Sequence, residues 1–149
     1  MEIRMIEEWK DDGRKGRVLI RKEDYPQVET EPRIVCQKIF EALQINDFPM
    51  LDYGVAVAIR FSSEKNALSR MTPELYGTFL RNTKEYYVLI ENSGIKPEGK
   101  MKVSKDSLRC MQRIRADHSF TDQFDYFQAH LSRKSEADPW LLDAITLEK

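Results

Sequence analysis

The stretch Trp140-Leu-Leu-Asp-Ala-Ile-Thr-Leu-Glu-Lys149 gathers Trp140, Leu141, Leu142, Ile145 and Leu147 where most chains fray. Terminal segments stay disordered unless something ties them down, and these five side chains supply the apolar area for a tie. The segment therefore reads as a closing strand or helical turn docked on the core. A fold for this chain must leave a slot for it.

The rest of the chain is compatible with one substantial core. Its 149 residues are 41% hydrophobic, 33% charged and 10% aromatic, the balance of an ordered globular protein. No apolar run approaches the roughly 18 residues of a membrane span. The opening Met1-Glu-Ile-Arg-Met-Ile-Glu-Glu has neither the basic flank nor the apolar stretch of a secretory signal, which predicts an intracellular chain. Cys36 and Cys110 lie far apart with no partner at metal-ligand spacing, so buried reduced thiols are expected, with no metal site.

Periodicity and turn chemistry predict an α+β fold: an antiparallel β-sheet packed against two to three helices in a single compact domain over residues 17–149. Residues 1–16, with Gly13, Gly16 and mixed charge, read as a peripheral or flexible arm. Arg17–Arg21 reads as a short strand. From Thr30 through Pro32 to Asn46, Val35, Ile39, Phe40 and Leu43 recur at helical spacing. Tyr53–Phe61 alternates between large and small apolar residues, which predicts a central strand whose Gly54, Ala56 and Ala58 side admits a helix closely.

Thr72-Pro73-Glu74 predicts a helix start with Leu75, Phe79 and Leu80 on its apolar face, and Tyr86–Ile90 a strand ending in a turn at Asn92-Ser-Gly94. Met101, Val103, Leu108, Cys110 and Ile114 fit a hairpin turning at Ser104–Ser107, with a helix over Lys105–Arg115 as the alternative. Ser119–Asp122 resembles a cap for a helix with the stripe Phe120, Phe124, Phe127 and Leu131.

The sequence is poor in catalytic groups. Its two histidines, His118 and His130, are twelve apart and form no His-x-x-x-His pair; no glycine-rich phosphate loop is present. A nucleophile and base would have to come from Cys110 with His118 or Cys36 with His130, brought together by the fold. The expectation is a protein that is not an enzyme and carries no cofactor. Net charge is -1, which argues against a surface wholly designed for nucleic acid or anionic lipid. Between residues 96 and 115, however, Lys96, Lys100, Lys102, Lys105, Arg109, Arg113 and Arg115 face only Glu98 and Asp106. This basic patch is the best binding feature, for a nucleoprotein, RNA or lipid contact, with an ordinary solvated face as the alternative reading. With no aromatic interleaved in the segment itself, it gives no support for sequence-specific nucleic-acid recognition.

The tail carries a second signal. Trp140, Leu142, Asp143, Ile145 and the terminal Lys149 are spaced as in the C-terminus of vesiculovirus-type rhabdovirus matrix proteins. The preceding Phe120-Thr-Asp122, Phe124, Phe127, Leu131 and Arg133-Lys134-Ser135 are similar in order to the segment that leads into that tail. The Pro32–Leu43 helix and the run Tyr53–Ser63 resemble an earlier part of the family. Unlike the animal-virus members, this chain has no Pro-Pro pair in its arm.

The resemblance implies a non-enzymatic viral matrix protein that self-associates, condenses the nucleoprotein–RNA complex and links it to the envelope. It would be found in the virion and the host-cell cytoplasm. The physical candidate for self-association is the arm segment with Ile3, Met5, Ile6 and Trp9, whose alternative reading is an edge strand of its own sheet. The competing functional reading is a small cytosolic interaction or regulatory module that uses the basic patch.

Overall fold

A computed structural model describes residues 9–12 and 18–149 of the chain, with side chains described from Ile20 onward. Strands β1 (Trp9–Asp12) and β2 (Val18–Arg21) pair antiparallel, Trp9 opposite Arg21 and Asp12 opposite Val18. Trp9 is thus the first residue of a hairpin strand, while Ile3, Met5 and Ile6 lie outside the described residues.

Helices α1 (Pro32–Gln44), α2 (Tyr53–Arg60) and α3 (Pro73–Asn82) follow, then β3 (Asn92–Pro97), β4 (Lys102–Val103), β5 (Arg109–His118), β6 (Phe124–Ser132) and β7 (Leu141–Leu147). The last five strands form one antiparallel sheet in the order β3-β5-β6-β7, and β4 pairs with the start of β5 on the β3 edge. The result is an α+β fold, about 32% helix and 28% strand, with the sheet and three helices in one compact domain.

Helix α1 forms where its periodicity places it. Pro32 sits in the first turn, where its missing N–H costs nothing, and Val35, Cys36, Ile39, Phe40 and Leu43 are buried. At the start of α3 the Thr72 hydroxyl accepts from the Leu75 amide at 3.2 Å, as the Thr-Pro-Glu signal predicts. Its buried face is offset from the expected one: Tyr76, Gly77 and Leu80 point inward, while Leu75 and Phe79 are exposed. Gly77 sets that offset, since a Cβ there would stand 3.0 Å from the Asp52 carboxylate, which Arg81 holds at 3.0 Å.

Three further expectations are corrected. Tyr53–Phe61 is not a strand: Tyr53–Arg60 is a helix in which every residue but Arg60 is buried. A helix enclosed on all sides carries no polar stripe, and a short apolar run bounded by turns fits either period. Asn46 fixes the outcome, because its carbonyl accepts from the Gly54 amide and its side-chain oxygen from the Val55 amide, both at 2.8 Å. These bonds satisfy donors that a helix start leaves unpaired.

Tyr86–Ile90 is likewise no strand. A single 3-10 turn over Tyr87–Leu89 buries Val88 and Leu89, and Asn92-Ser-Gly94 lies within the bulged start of β3 instead of forming a turn. The aromatic and β-branched composition there reflects packing against the sheet. The stripe of Phe120, Phe124, Phe127 and Leu131 is also not helical. Phe120 stands fully exposed in the β5–β6 turn with φ 65°, and Phe124 opens β6 on the opposite face from Phe127 and Leu131.

The tail docks as its composition requires. Trp140 is buried, β7 pairs along β6 with a register shift between His130 and Leu131, and Leu142 is fully buried. Asp143 and Ile145 are half-buried in the same strand. The backbone of Leu142 also bonds Phe61 and Ser63, which locks the end of α2 to the sheet.

Candidate binding face

Strand β5 alternates, and the two sets of side chains do different things. Cys110, Gln112, Ile114 and Ala116 are buried beneath the helices, whereas Arg109, Met111, Arg113 and Arg115 point the other way. Gln112 is fully buried, and its amide donates to the carbonyls of Glu98, Gly99 and Arg113 while its oxygen accepts from Arg33. This network pins the β3–β4 connection against β5. The hairpin expected at Ser104–Ser107 is present: Ser104 donates its amide to the Arg109 carbonyl at 2.9 Å, and Ser107 takes a positive φ of 61°. Strand geometry over Arg109–His118 rules out the alternative helix.

All seven predicted basic residues belong to this side of the sheet or its edge. Lys96 lies on β3 opposite Arg115, Lys102 on β4 opposite Met111, Lys100 in the connection between them and Lys105 in the hairpin turn. Among the described residues, Lys96, Lys100, Lys102, Lys105 and Arg109 make no ion pair. Arg113 and Arg115 are held. The Arg113 guanidinium donates twice to Glu148, both at 3.0 Å, and Arg115 donates to Asp117 at 2.9 Å with Glu98 at 4.0 Å.

Strand β6 supplies what the basic segment lacks. Tyr126 is registered against Arg115 and Gln128 against Arg113, and the arginine heads lie over rings on β6. The Arg113 guanidinium carbon is 4.4 Å from the Tyr126 centroid and that of Arg115 is 4.0 Å from Phe124, whose own ring meets Tyr126 edge-on at 5.4 Å. A hydrogen bond to Glu98, followed by desolvation, raises the Tyr126 phenol above its ordinary range. Beside Arg113 a shallow recess of about 200 Å³ opens between Lys100, Lys102, Met111 and Gln128. Following helical spacing through Phe120, Phe124 and Phe127 puts Phe124 on the wrong element and passes over Tyr126, so neither ring is placed beside the cations. Period-two reading from Phe124 gives Tyr126, Gln128 and His130 as one outward row.

The cysteine and histidine pairs do not meet. Cys110 lies opposite Leu131 on the buried side, while His130 lies opposite Met111 on the outer side and sits 3.0 Å from the Thr146 hydroxyl. His118 is eight residues further along β5 than Cys110, about 26 Å of strand, and contacts Asp125 at 2.6 Å. Burial pushes both thiols up to about 12, with the neighbouring Cys110 adding to the effect on Cys36. Both cysteines are unpaired, and among the described residues no three metal-ligating side chains cluster.

No family matches this chain. Comparison with protein-family models, with curated proteins and with solved structures returned nothing similar. No helix among the described residues is long and apolar enough to cross a membrane.

Proposed function

We propose that this protein is a viral matrix-type structural protein that self-associates, condenses a nucleoprotein–RNA complex and links it to the envelope, acting without catalysis or a cofactor. The observation that carries the reading is the outer face of the sheet. One side of the sheet is consumed by helices, and the other holds cations, aromatics and polar groups over which no described element packs. Repeated weak contacts to a polyanion suit such a face. Envelope contact would then be peripheral, through the cationic edge and the exposed Phe120.

Sedimentation velocity and light scattering test this reading across protein concentration and salt, with the full chain and with a variant lacking residues 1–8, which retains the residues of strands β1 and β2. Mass that rises with concentration and falls without residues 1–8 supports it. A monomer under every condition rejects it in favour of a small regulatory module, a reading favoured by the unpaired lysines gathered on one edge.

A further inference from the structure

Two arginines at the centre of the outer face have each of their surfaces assigned except one. Carboxylates bond a guanidinium through N–H groups that lie in its plane, so the Arg113–Glu148 and Arg115–Asp117 contacts leave both flat sides of each head open. One side of each meets a ring, Tyr126 or Phe124. Both heads remain partly open to solvent, with 47% of the Arg113 side chain and 34% of the Arg115 side chain exposed. Planar cations backed by aromatic rings are surfaces on which a planar π-system stacks.

Charge is arranged around these stacks in a complementary way. The two arginines are locally neutralised, while Lys96 and Lys102, cross-strand neighbours of Arg115 and Met111, are exposed and without ion pairs among the described residues. The centre of the face therefore offers stacking and its edge offers unpaired positive charge.

We propose that this face binds single-stranded nucleic acid, with unpaired bases stacking on the Arg113–Tyr126 and Arg115–Phe124 pairs and phosphates held by Lys96 and Lys102. The inference rests on the matrix-type reading for the source of the ligand, the RNA of the condensed complex. Arg113 and Arg115 are two residues apart on one strand, about 7 Å, which is twice the 3.4 Å rise of a stacked duplex strand. Stacked duplex bases leave no gap into which a guanidinium can stack at that spacing, whereas the bases of an unstacked single strand do. An acidic peptide fits less well, because its carboxylates would have to displace Glu148 and Asp117 from the same N–H groups. Recognition is independent of sequence, since every base has a π-face.

Fluorescence anisotropy tests this with a labelled 15-nucleotide oligo-uridine, a duplex RNA of equal length, poly-glutamate as competitor, and flotation with vesicles of phosphatidylcholine and phosphatidylserine. The oligo-uridine should bind more tightly than the duplex. The double variant Phe124→Leu with Tyr126→Leu should weaken it about tenfold or more, while Lys84→Glu, after α3, should change it less than twofold. The paired substitution Lys96→Ala with Lys102→Ala should reduce the slope of log affinity against log salt by about 1.4.

If the leucine variant loses its circular dichroism signature, the pair Arg113→Lys with Arg115→Lys replaces it, keeping charge but removing the plane. It should weaken binding by a similar factor. Equal affinity for duplex and single strand, unchanged binding by the lysine pair, or binding to vesicles or poly-glutamate alone overturns the proposal. Oligomers that form without binding oligo-uridine reject this face but leave assembly standing. A strict monomer that binds oligo-uridine does the reverse.

Discussion

Ser63, just past the end of α2, donates its hydroxyl to Asp143 of β7 at 2.5 Å, across eighty residues of sequence. Ser132 of β6 donates to the same carboxylate oxygen at 2.9 Å. The two bonds tie helix layer, sheet and closing strand at one atom. Asp143→Ala leaves two hydroxyls without their charged partner and should cost about 2–3 kcal/mol in urea unfolding. Asp143→Asn, which retains an acceptor oxygen, should cost about half as much; a loss equal to that of the alanine variant would show that the charge carries the whole effect, and no loss that the charge is immaterial.

Trp140 precedes that strand, buried, with the Arg133 guanidinium 4.5 Å from its ring. Trp140→Ala should lower stability by about 3–5 kcal/mol, seen as a drop in the midpoint of thermal unfolding. Were stability unchanged while assembly failed, the indole would be an interface residue instead of part of the core.

Close approach of α1 and α2 depends on Gly54. A Cβ there would stand 1.9 Å from the Ala42 carbonyl oxygen, a backbone atom that cannot move aside without separating the helices. Gly54→Ala should cost about 3 kcal/mol or more. Gly99→Ala has open space but a φ of 82°, and should cost about 1–2 kcal/mol from the backbone alone. Calorimetry of the two variants separates the causes.

Asp52 predicts an acid limb of stability. Burial pushes its carboxyl up, but the hydrogen bonds from Arg81 and Asn46 outweigh this, and the net shift is downward. A folded-state value below that of the unfolded chain contributes stability that is complete above about pH 4 and is lost as pH falls through the lowered value. Asp52→Asn should remove this part of the acid dependence while tolerating the left-handed φ of 57°. Unfolding midpoints between pH 6 and pH 2 are the measurement, and parallel curves for the two proteins would reject the assignment.

Thiol chemistry gives a further check. With both cysteines buried and their acidity pushed to about 12, neither Cys36 nor Cys110 should react with Ellman's reagent at pH 8 in the native state, and both should react in denaturant. Rapid native labelling of either would contradict the packing of α1 on β5.

The parts legible in the sequence were those where a local signal and the tertiary environment agree. Pro32 and the spacing of Val35 to Leu43 specify α1, Ser104–Ser107 suggests the hairpin with a helix left as the alternative, and the apolar tail requires a docked segment, strand or helical turn, that the structure resolves as β7. The reading failed where burial erased polarity, as around Val55 and Val57, or where two residue sets overlapped at a misleading period, as in Phe120, Phe124 and Phe127. For the candidate site, the cations were visible because they are contiguous. Their ring partners were not, because Tyr126 and Phe124 reach Arg113 and Arg115 only through the register of β5 on β6.

That register has an evolutionary consequence. On β5 buried residues alternate one by one, from Arg109 to Ala116, with residues of the outer face that we propose meets a ligand. If the outer face binds as proposed, substitutions at Arg113 or Arg115 would retune what it prefers without touching Ile114 or Ala116, so lineages could diverge in partner while keeping the same scaffold. Drift in ligand preference and drift in folding stability are therefore free to proceed at separate rates along a single ten-residue strand.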